Sequence, residues 1–284
     1  MLAVMISAPA IAGTVLDRVS GSGVVNIGYR DSSPPFSYLD QDRQPVGYSL
    51  DICRKVVDAM QKTLHRPLSV RYVPVTSATR IDAVQKGEVD LECGTTTSTA
   101  ERRQKVAFTV PTYIATTRLL VRAGSGIRSI NDLSGKIVVT TRGTTAAKIF
   151  SDTNERRTLR ASLVEAKDHA ESFEILQSGK ADAFIMDDVL LYSLRASSGA
   201  PEKFEVTREA MNIEPLAIMF PKDDPAFKKL VDDEVSRMIV DNEIHRIYRR
   251  WFESRIPPKG INLQLPMSYL LRDSFKAPTD WLPN

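Results

Sequence analysis

Two stretches of this chain repeat one pattern at a fixed distance. From Val84 the sequence runs V-Q-K-G-E-V-D-L-E-C-G-T, and from Leu176 it runs L-Q-S-G-K-A-D-A-F-I-M-D. Each is the end of an apolar-periodic helix, a glycine stop, an aspartate and then an apolar strand. The offset stays at 92 residues throughout. A repeat of that period, built from a helix and a strand, predicts two related α/β lobes rather than one unbroken domain. Strands alternating with helices imply mostly parallel sheets covered on both faces. In such sheets ligands sit beyond the carboxyl ends of the strands. Two lobes with facing strand ends make a cleft.

The rest of the chain fits this frame. Val24–Tyr29 reads as a buried strand ending at Arg30, and Leu68–Val73 alternates like a second. Ser49 is expected to cap a helix with Ile52, Val56, Val57 and Met60 on one face. Ser77 is expected to cap a short helix that Gly87 stops, before a strand at Val89–Cys93. In the second half Lys136–Thr141 and Leu163–Ala166 read as strands, with helices from Ala146 and from Ala170 to Gln177. Leu216–Phe220 reads as a strand returning to the first lobe, followed by one helical stretch over Pro225–Phe252 and a loop-rich tail after Pro257. The expected division is lobe 1 from 13–116 and 215–284, lobe 2 from 117–214, and hinges near 113–117 and 212–215.

Length and charge bound the function. The chain has 284 residues, and Lys+Arg 38 against Asp+Glu 35 leaves a net charge of +3 with both signs mixed along it. That is no nucleic-acid footprint. Residues 2–12, L-A-V-M-I-S-A-P-A-I-A, are apolar and end on small residues, so residues 1–12 read as the remnant of an export signal. With no cysteine after that run to carry a lipid, a free periplasmic protein is expected. Cys53 and Cys93 are the only cysteines. Export permits a disulfide between them, but two buried thiols fit the sequence as well. No nucleophile elbow, metal-ligand spacing, phosphate loop or dinucleotide fingerprint occurs, so no metal or cofactor is expected.

The segment with the most chemistry is E-C-G-T-T-T-S-T-A-E-R-R, residues 92–103. Five consecutive hydroxyls, Thr95–Thr99, are more than a turn uses. Arg102 follows closely, and a guanidinium fork matches a carboxylate. A second hydroxyl, Thr145, follows Gly143 at the start of a helix, where free N–H groups favour anions. Arg30 and Asp187 fall at strand ends. From the residues alone Arg80 reads first as a surface helix residue, and His169 as a capping or core histidine.

Together these motifs resemble the polar amino-acid-binding proteins of bacterial ABC importers. The resemblance covers nearly the whole chain. It is carried by Thr97-x-x-x-x-Arg102 followed by Phe108-Thr109-x-Pro111. Gly28-Tyr29-Arg30-Asp31-Ser32-Ser33-Pro34-Pro35-Phe36-Ser37-Tyr38, Ala166-Lys167-Asp168-His169, Met186-Asp187-Asp188 and Ile256-Pro257-Pro258-Lys259 are similar to the glutamate/aspartate-binding branch. The resemblance implies a two-lobed, type II periplasmic-binding-protein-like α/β fold with the ligand in the interlobe cleft. It implies that Arg102, Thr97 and Thr145 hold an α-carboxylate, and that Asp187 and Thr95 take the α-ammonium. Arg30, Arg80, Ser77 and His169 would surround the ligand's side chain. Thr95 stands where the branch usually has serine. Two buried guanidiniums left unpaired are costly, so a second carboxylate, as in L-glutamate or L-aspartate, is the expected cargo. The expected partner is a membrane permease, and the protein a monomer. Two rivals share the fold: a cyclohexadienyl dehydratase-like enzyme acting on prephenate, and a sensory amino-acid-binding module.

Overall fold

The computed structural model of the chain describes residues 14–279. The apolar run expected to be an export-signal remnant lies outside them. Eight strands carry the architecture: β1 (Val24–Tyr29), β2 (Ser69–Pro74), β3 (Leu91–Thr97), β4 (Tyr113–Arg122), β5 (Ile137–Thr141), β6 (Ser162–Ala166), β7 (Ala183–Asp187) and β8 (Asn212–Phe220). Their order across one continuous sheet is β6-β5-β7-β4-β8-β3-β1-β2. On one side β2, β1 and β3 are parallel, and β8 runs antiparallel to β3. On the other β6, β5 and β7 are parallel, and β4 runs antiparallel to β7. Each half therefore has three parallel strands with the first in the middle, closed by one antiparallel strand. The repeat in sequence maps onto this symmetry, because β3 and β7 are equivalent strands.

The two halves are joined through β4 and β8, which pair from Tyr113 with Leu216 to Thr117 with Asn212. Strand β8 starts four residues before the apolar run that marks it in sequence. Its first part, Asn212–Pro215, is this junction and is not packed as core. An aromatic cluster anchors the junction from below. Tyr113 stacks on Phe252 at 5.1 Å and meets Phe36 edge-on at 5.0 Å, while Tyr48 donates its hydroxyl to Thr112 O at 2.8 Å. Such ring pairs each contribute about 0.5–1.5 kcal/mol beyond area burial.

Helix α1 (Val15–Ser22) precedes β1, and α2 (Tyr48–Leu64) packs on the sheet through Ile52, Val56, Val57 and Met60. The cap of α2 is Gly47, not Ser49. Ser49 lies one residue inside and donates to Gly94 O at 2.8 Å, tying α2 to β3. Helix α3 (Arg80–Gln85) starts after a Thr76–Thr79 turn, so Ser77 caps nothing. Cys53 on α2 and Cys93 in β3 form a disulfide. Cys93 is not at a strand end, because β3 continues through Thr97 and so carries the first three hydroxyls of the threonine run in its extended backbone.

The remaining helices are α4 (Ala100–Arg103), α5 (Thr145–Arg156), α6 (His169–Gln177), α7 (Asp188–Ser197), α8 (Pro225–Val240), α9 (Glu243–Phe252) and α10 (Tyr269–Ser274). The stretch expected as one helix over Pro225–Phe252 is two, broken where Asn242 adopts a left-handed conformation at φ 56°. The break lets Trp251 and Phe252 turn under Phe36 and Tyr38. The tail after Pro257 also holds more structure than its composition suggests: Ile261–Asn262 pairs back with Arg255–Ile256, and α10 follows.

Candidate functional site

The carboxyl ends of β3, β5 and β7 and the N-termini of α5 and α6 converge on one narrow, tightly closed space. Ser77, Arg80, Thr95 and Thr97 wall it from one half of the sheet, and Thr145, His169 and Asp187 from the other. These are seven of the nine residues expected from the sequence. Thr144 and Met186 complete the wall. Thr144 caps α5, accepting from Ala147 N at 3.3 Å while donating to Thr141 O at 2.7 Å.

The other two expected residues are buried beside the space. Arg102 is set by its own helix start: Thr99 caps α4 by accepting from Arg102 N at 3.2 Å. Its guanidinium donates to Thr97 O at 2.9 Å and, across to the opposite half, to Gly143 O at 3.2 Å. Arg30 follows β1 and is 2 % exposed. Gly94 makes room for it, since a Cβ there would strike the Arg30 side chain and the Glu92 carboxylate.

The halves touch closely. Gly143, at φ +77°, lies against the backbone of Ser77 and Ala78, where a Cβ would come within 2.7–2.9 Å. Beside this contact, Thr145 donates to Glu214 in the junction between the halves at 3.0 Å. The lip is therefore shut, and the site groups have little contact with solvent.

Burial perturbs the three arginines, His169 and Asp187. Burial and then Arg80 lower the Arg30 pKa to about 9, with Glu92 opposing, and the guanidinium stays charged at neutral pH. Burial and Arg80 likewise lower Arg102 to about 10. Arg80 is lowered by burial, with Glu92 and Asp187 pulling back. His169 is held well below the usual imidazole value, first by burial and then by Arg30 and Arg80, so its ring is neutral. Burial, then Glu214 and Asp188, push the Asp187 carboxyl well above the usual range.

Polar atoms of this group lack hydrogen-bond partners in the protein and separate by type. Arg30 Nη1, Arg80 Nε, Ser77 Oγ and His169 Nε2 form one set; the carboxylate oxygens Asp187 Oδ1 and, beside the Arg30 side chain, Glu92 Oε1 form the other. Buried polar atoms are rarely left this way. One set calls for an anion and the other for a donor cation.

Sequence reasoning missed two acids. Glu92 is fully buried in β3, accepts from Thr96 Oγ1 at 2.6 Å, and is a counter-charge to all three arginines. Glu214 is fully buried in β8 and accepts from Thr145, Asn212 and Thr117. Glu92 follows Asp90 in alternation with Val89, Leu91 and Cys93, which reads as the polar face of an ordinary strand, so nothing in the sequence marks it.

A larger groove of about 770 Å³ shares Thr97 and Thr145 with this space, but Ile114, Ile149, Ile213, Pro111 and Pro215 give it an apolar lining with none of the arginines. Among the described residues no group of His, Cys, Asp or Glu is arranged to hold a metal ion.

Residues 25–254 match the family described as bacterial extracellular solute-binding proteins, family 3. The chain belongs to this family. The solute-binding protein is 42% identical over 285 residues to the L-glutamate/L-aspartate-binding protein of Pseudomonas aeruginosa, covering 99% of this chain and 94% of that one. It is 40% identical over 274 residues to the glutamate/aspartate import solute-binding protein of Salmonella typhimurium, covering 96% and 90%. Among solved structures it is similar in fold to a mutant of the arginine-binding protein of T. maritima, with a TM-score of 0.75 at 21% identity over 83% of this chain and 98% of that one. The solute-binding protein thus has the two-lobed type II fold, and it is an extracytoplasmic binding protein rather than an enzyme. No helix among the described residues is long and apolar enough to cross a membrane.

Proposed function

We propose that this protein captures L-glutamate or L-aspartate in the periplasm and delivers it, as a monomer, to the membrane permease of an ABC importer. The reading is carried by the separated polar atoms. Arg30, Arg80, Ser77 and His169 offer donors to a side-chain carboxylate, and Asp187 offers an acceptor to an α-ammonium. Arg102, with Thr97 and Thr145, takes the α-carboxylate. A ligand with a neutral side chain leaves Arg30, Arg80 and Arg102 sharing Glu92 as their common buried counter-charge, and that shortage of negative charge is costly. The names of the similar proteins from P. aeruginosa and S. typhimurium support the same cargo.

In this reading lobe 1 comprises 13–116 and 215–284 and lobe 2 comprises 117–214, hinged near 113–117 and 212–215. The ligand acts by differential contact. Only the closed form lets Arg80 from one lobe and Asp187 and His169 from the other meet it, so binding shifts the open–closed equilibrium toward closure. Closed without ligand, the protein buries three arginines around one shared Glu92 and leaves polar atoms of Arg30, Arg80 and Asp187 without hydrogen bonds, and that penalty favours the open form.

Calorimetric titration of refolded, ligand-free protein with L-Glu, L-Asp, L-Gln, L-Asn and prephenate tests the proposal. Tight binding of Glu or Asp is expected, with the amides weaker by at least about tenfold, or about 1.4 kcal/mol. Preference for an amide or for prephenate would remove the proposed cargo.

A further inference from the structure

His169 faces the cavity with one ring nitrogen and is held from behind by the other. Its Nδ1 lies 2.8 Å from Thr141 Oγ1, at the end of β5. Thr141 Oγ1 lies 2.8 Å from Ser172 Oγ, one turn along α6. Ser172 Oγ is 2.9 Å from the carbonyl oxygen of Asp168, which also accepts from Ser172 N at 3.1 Å. Thr141, Ser172 and His169 are all buried.

The hydrogens in this chain can be counted. Each hydroxyl has one to give, and a neutral imidazole has one. In one arrangement Ser172 donates to Asp168 O, Thr141 donates to Ser172, and Nδ1–H donates to Thr141. Nε2 then presents a bare lone pair to the cavity. In the other, Ser172 donates to Thr141, Thr141 donates to Nδ1, and the ring hydrogen sits on Nε2, which becomes a donor. Both arrangements satisfy the two 2.8 Å contacts. The first arrangement satisfies all three contacts; the second gives up the hydrogen bond from Ser172 Oγ to Asp168 O and leaves those two acceptor oxygens 2.9 Å apart. Left to itself the chain favours a bare Nε2, and an anion against Nε2 must supply about one hydrogen bond's worth of free energy to reverse it, which a charge-assisted bond does.

We propose that Thr141 and Ser172 are positioning residues that set the hydrogen-bond polarity of His169, so that a carboxylate in the cavity selects the Nε2–H form and receives a hydrogen bond from it. This rests on the dicarboxylate reading of the site. Burial next to Arg30 and Arg80 keeps the ring neutral, so the donor arises by choice of tautomer and not by protonation. Ser172→Ala removes the outer acceptor of the Thr141 hydroxyl and fixes the Nε2–H form with or without ligand. Thr141→Val removes the donor to Nδ1 and leaves that nitrogen buried without a partner.

The test is long-range ¹H–¹⁵N NMR of ¹⁵N-histidine-labelled protein, with and without saturating glutamate, alongside titration calorimetry. The chain has three histidines, and His169→Gln identifies the signal. In the glutamate complex Nε2 is expected to carry the hydrogen and Nδ1 to be bare. Thr141→Val is expected to lose at least about tenfold in glutamate affinity, and Thr141→Ser to restore it. A hydrogen on Nδ1 in the glutamate complex, an imidazolium, or unchanged affinity in Thr141→Val overturns the relay while leaving the cargo intact. Failure of the unmodified protein to bind either acid overturns the cargo and the relay together.

Discussion

Gly143→Ala separates closure from folding. Gly143 sits at φ +77° between β5 and α5, and its Cα faces the 77–78 backbone of the opposite lobe. An added Cβ would lie 2.7 Å from Ala78 Cα, 2.8 Å from Ser77 O and 2.9 Å from Ala78 N. All three are backbone atoms, so no rotamer relieves the clash. Two penalties follow. The left-handed backbone costs an alanine about 1–2 kcal/mol whether the lobes are open or closed. The clash acts only when they are closed, and overpacking of this kind costs about 1–3 kcal/mol. The first penalty lowers the melting temperature of the free protein by about 2–8 °C, at about 2–4 °C per kcal/mol for a chain near this size. The second lowers glutamate affinity by roughly five- to 150-fold. Calorimetric titration and thermal unfolding of the same preparation read both. A lowered melting temperature with unchanged affinity would refute the claim that ligand binding brings Gly143 against Ser77 and Ala78.

Asp187→Asn removes a buried carboxylate whose pKa is raised in the folded protein. Such a group contributes stability below the unfolded carboxylate pKa of about 3.9 and loses it as pH rises through the folded value. The variant is thus expected to outlast the unmodified free protein in urea at pH 7, while its glutamate affinity falls by about ten- to 100-fold. His169 has the opposite sign. Its folded pKa is depressed, so its contribution is whole above the unfolded value of about 6.5 and is lost as pH falls below it. His169→Gln should flatten the loss of stability between pH 6.5 and more acid conditions, measured by urea unfolding; an identical pH slope would contradict a buried neutral ring. The Cys53–Cys93 bridge closes a separation of 40 residues, and loop-closure entropy gives it about 4 kcal/mol. Unfolding with and without reductant should show a loss of that order.

Much of the fold was legible because it depends on local pattern. Gly87 and Gly179 stop equivalent helices, Asp90 and Asp182 precede equivalent strands, and the constant offset exposed the symmetry of β3 and β7. Less was legible wherever tertiary contact overrides local preference. Ser49 looks like a cap, yet its hydroxyl is drawn to Gly94 O, and Gly47 starts the helix. Asn242 breaks a continuous amphipathic run because Trp251 and Phe252 must turn beneath Phe36 and Tyr38. Cys53 and Cys93 lie on different elements, and no spacing rule gives their distance. In the site, the resemblance named nine residues and the structure brings them around or beside one space. It could not name Glu92 or Glu214. A buried acid matched to arginines from other elements leaves no periodic trace, and its meaning appears only when Arg30, Arg80 and Arg102 converge.

In the proposed function, one end of the cavity reads what all amino acids share and the other reads a second carboxylate. Titrating Arg102→Ala and Arg80→Ala with L-Glu and L-Gln tests this most directly. Arg102→Ala should abolish binding of both ligands. Arg80→Ala should weaken glutamate far more than glutamine, so that the preference of at least about tenfold collapses toward unity. Equal, small losses in both variants for both ligands would contradict the two-ended site.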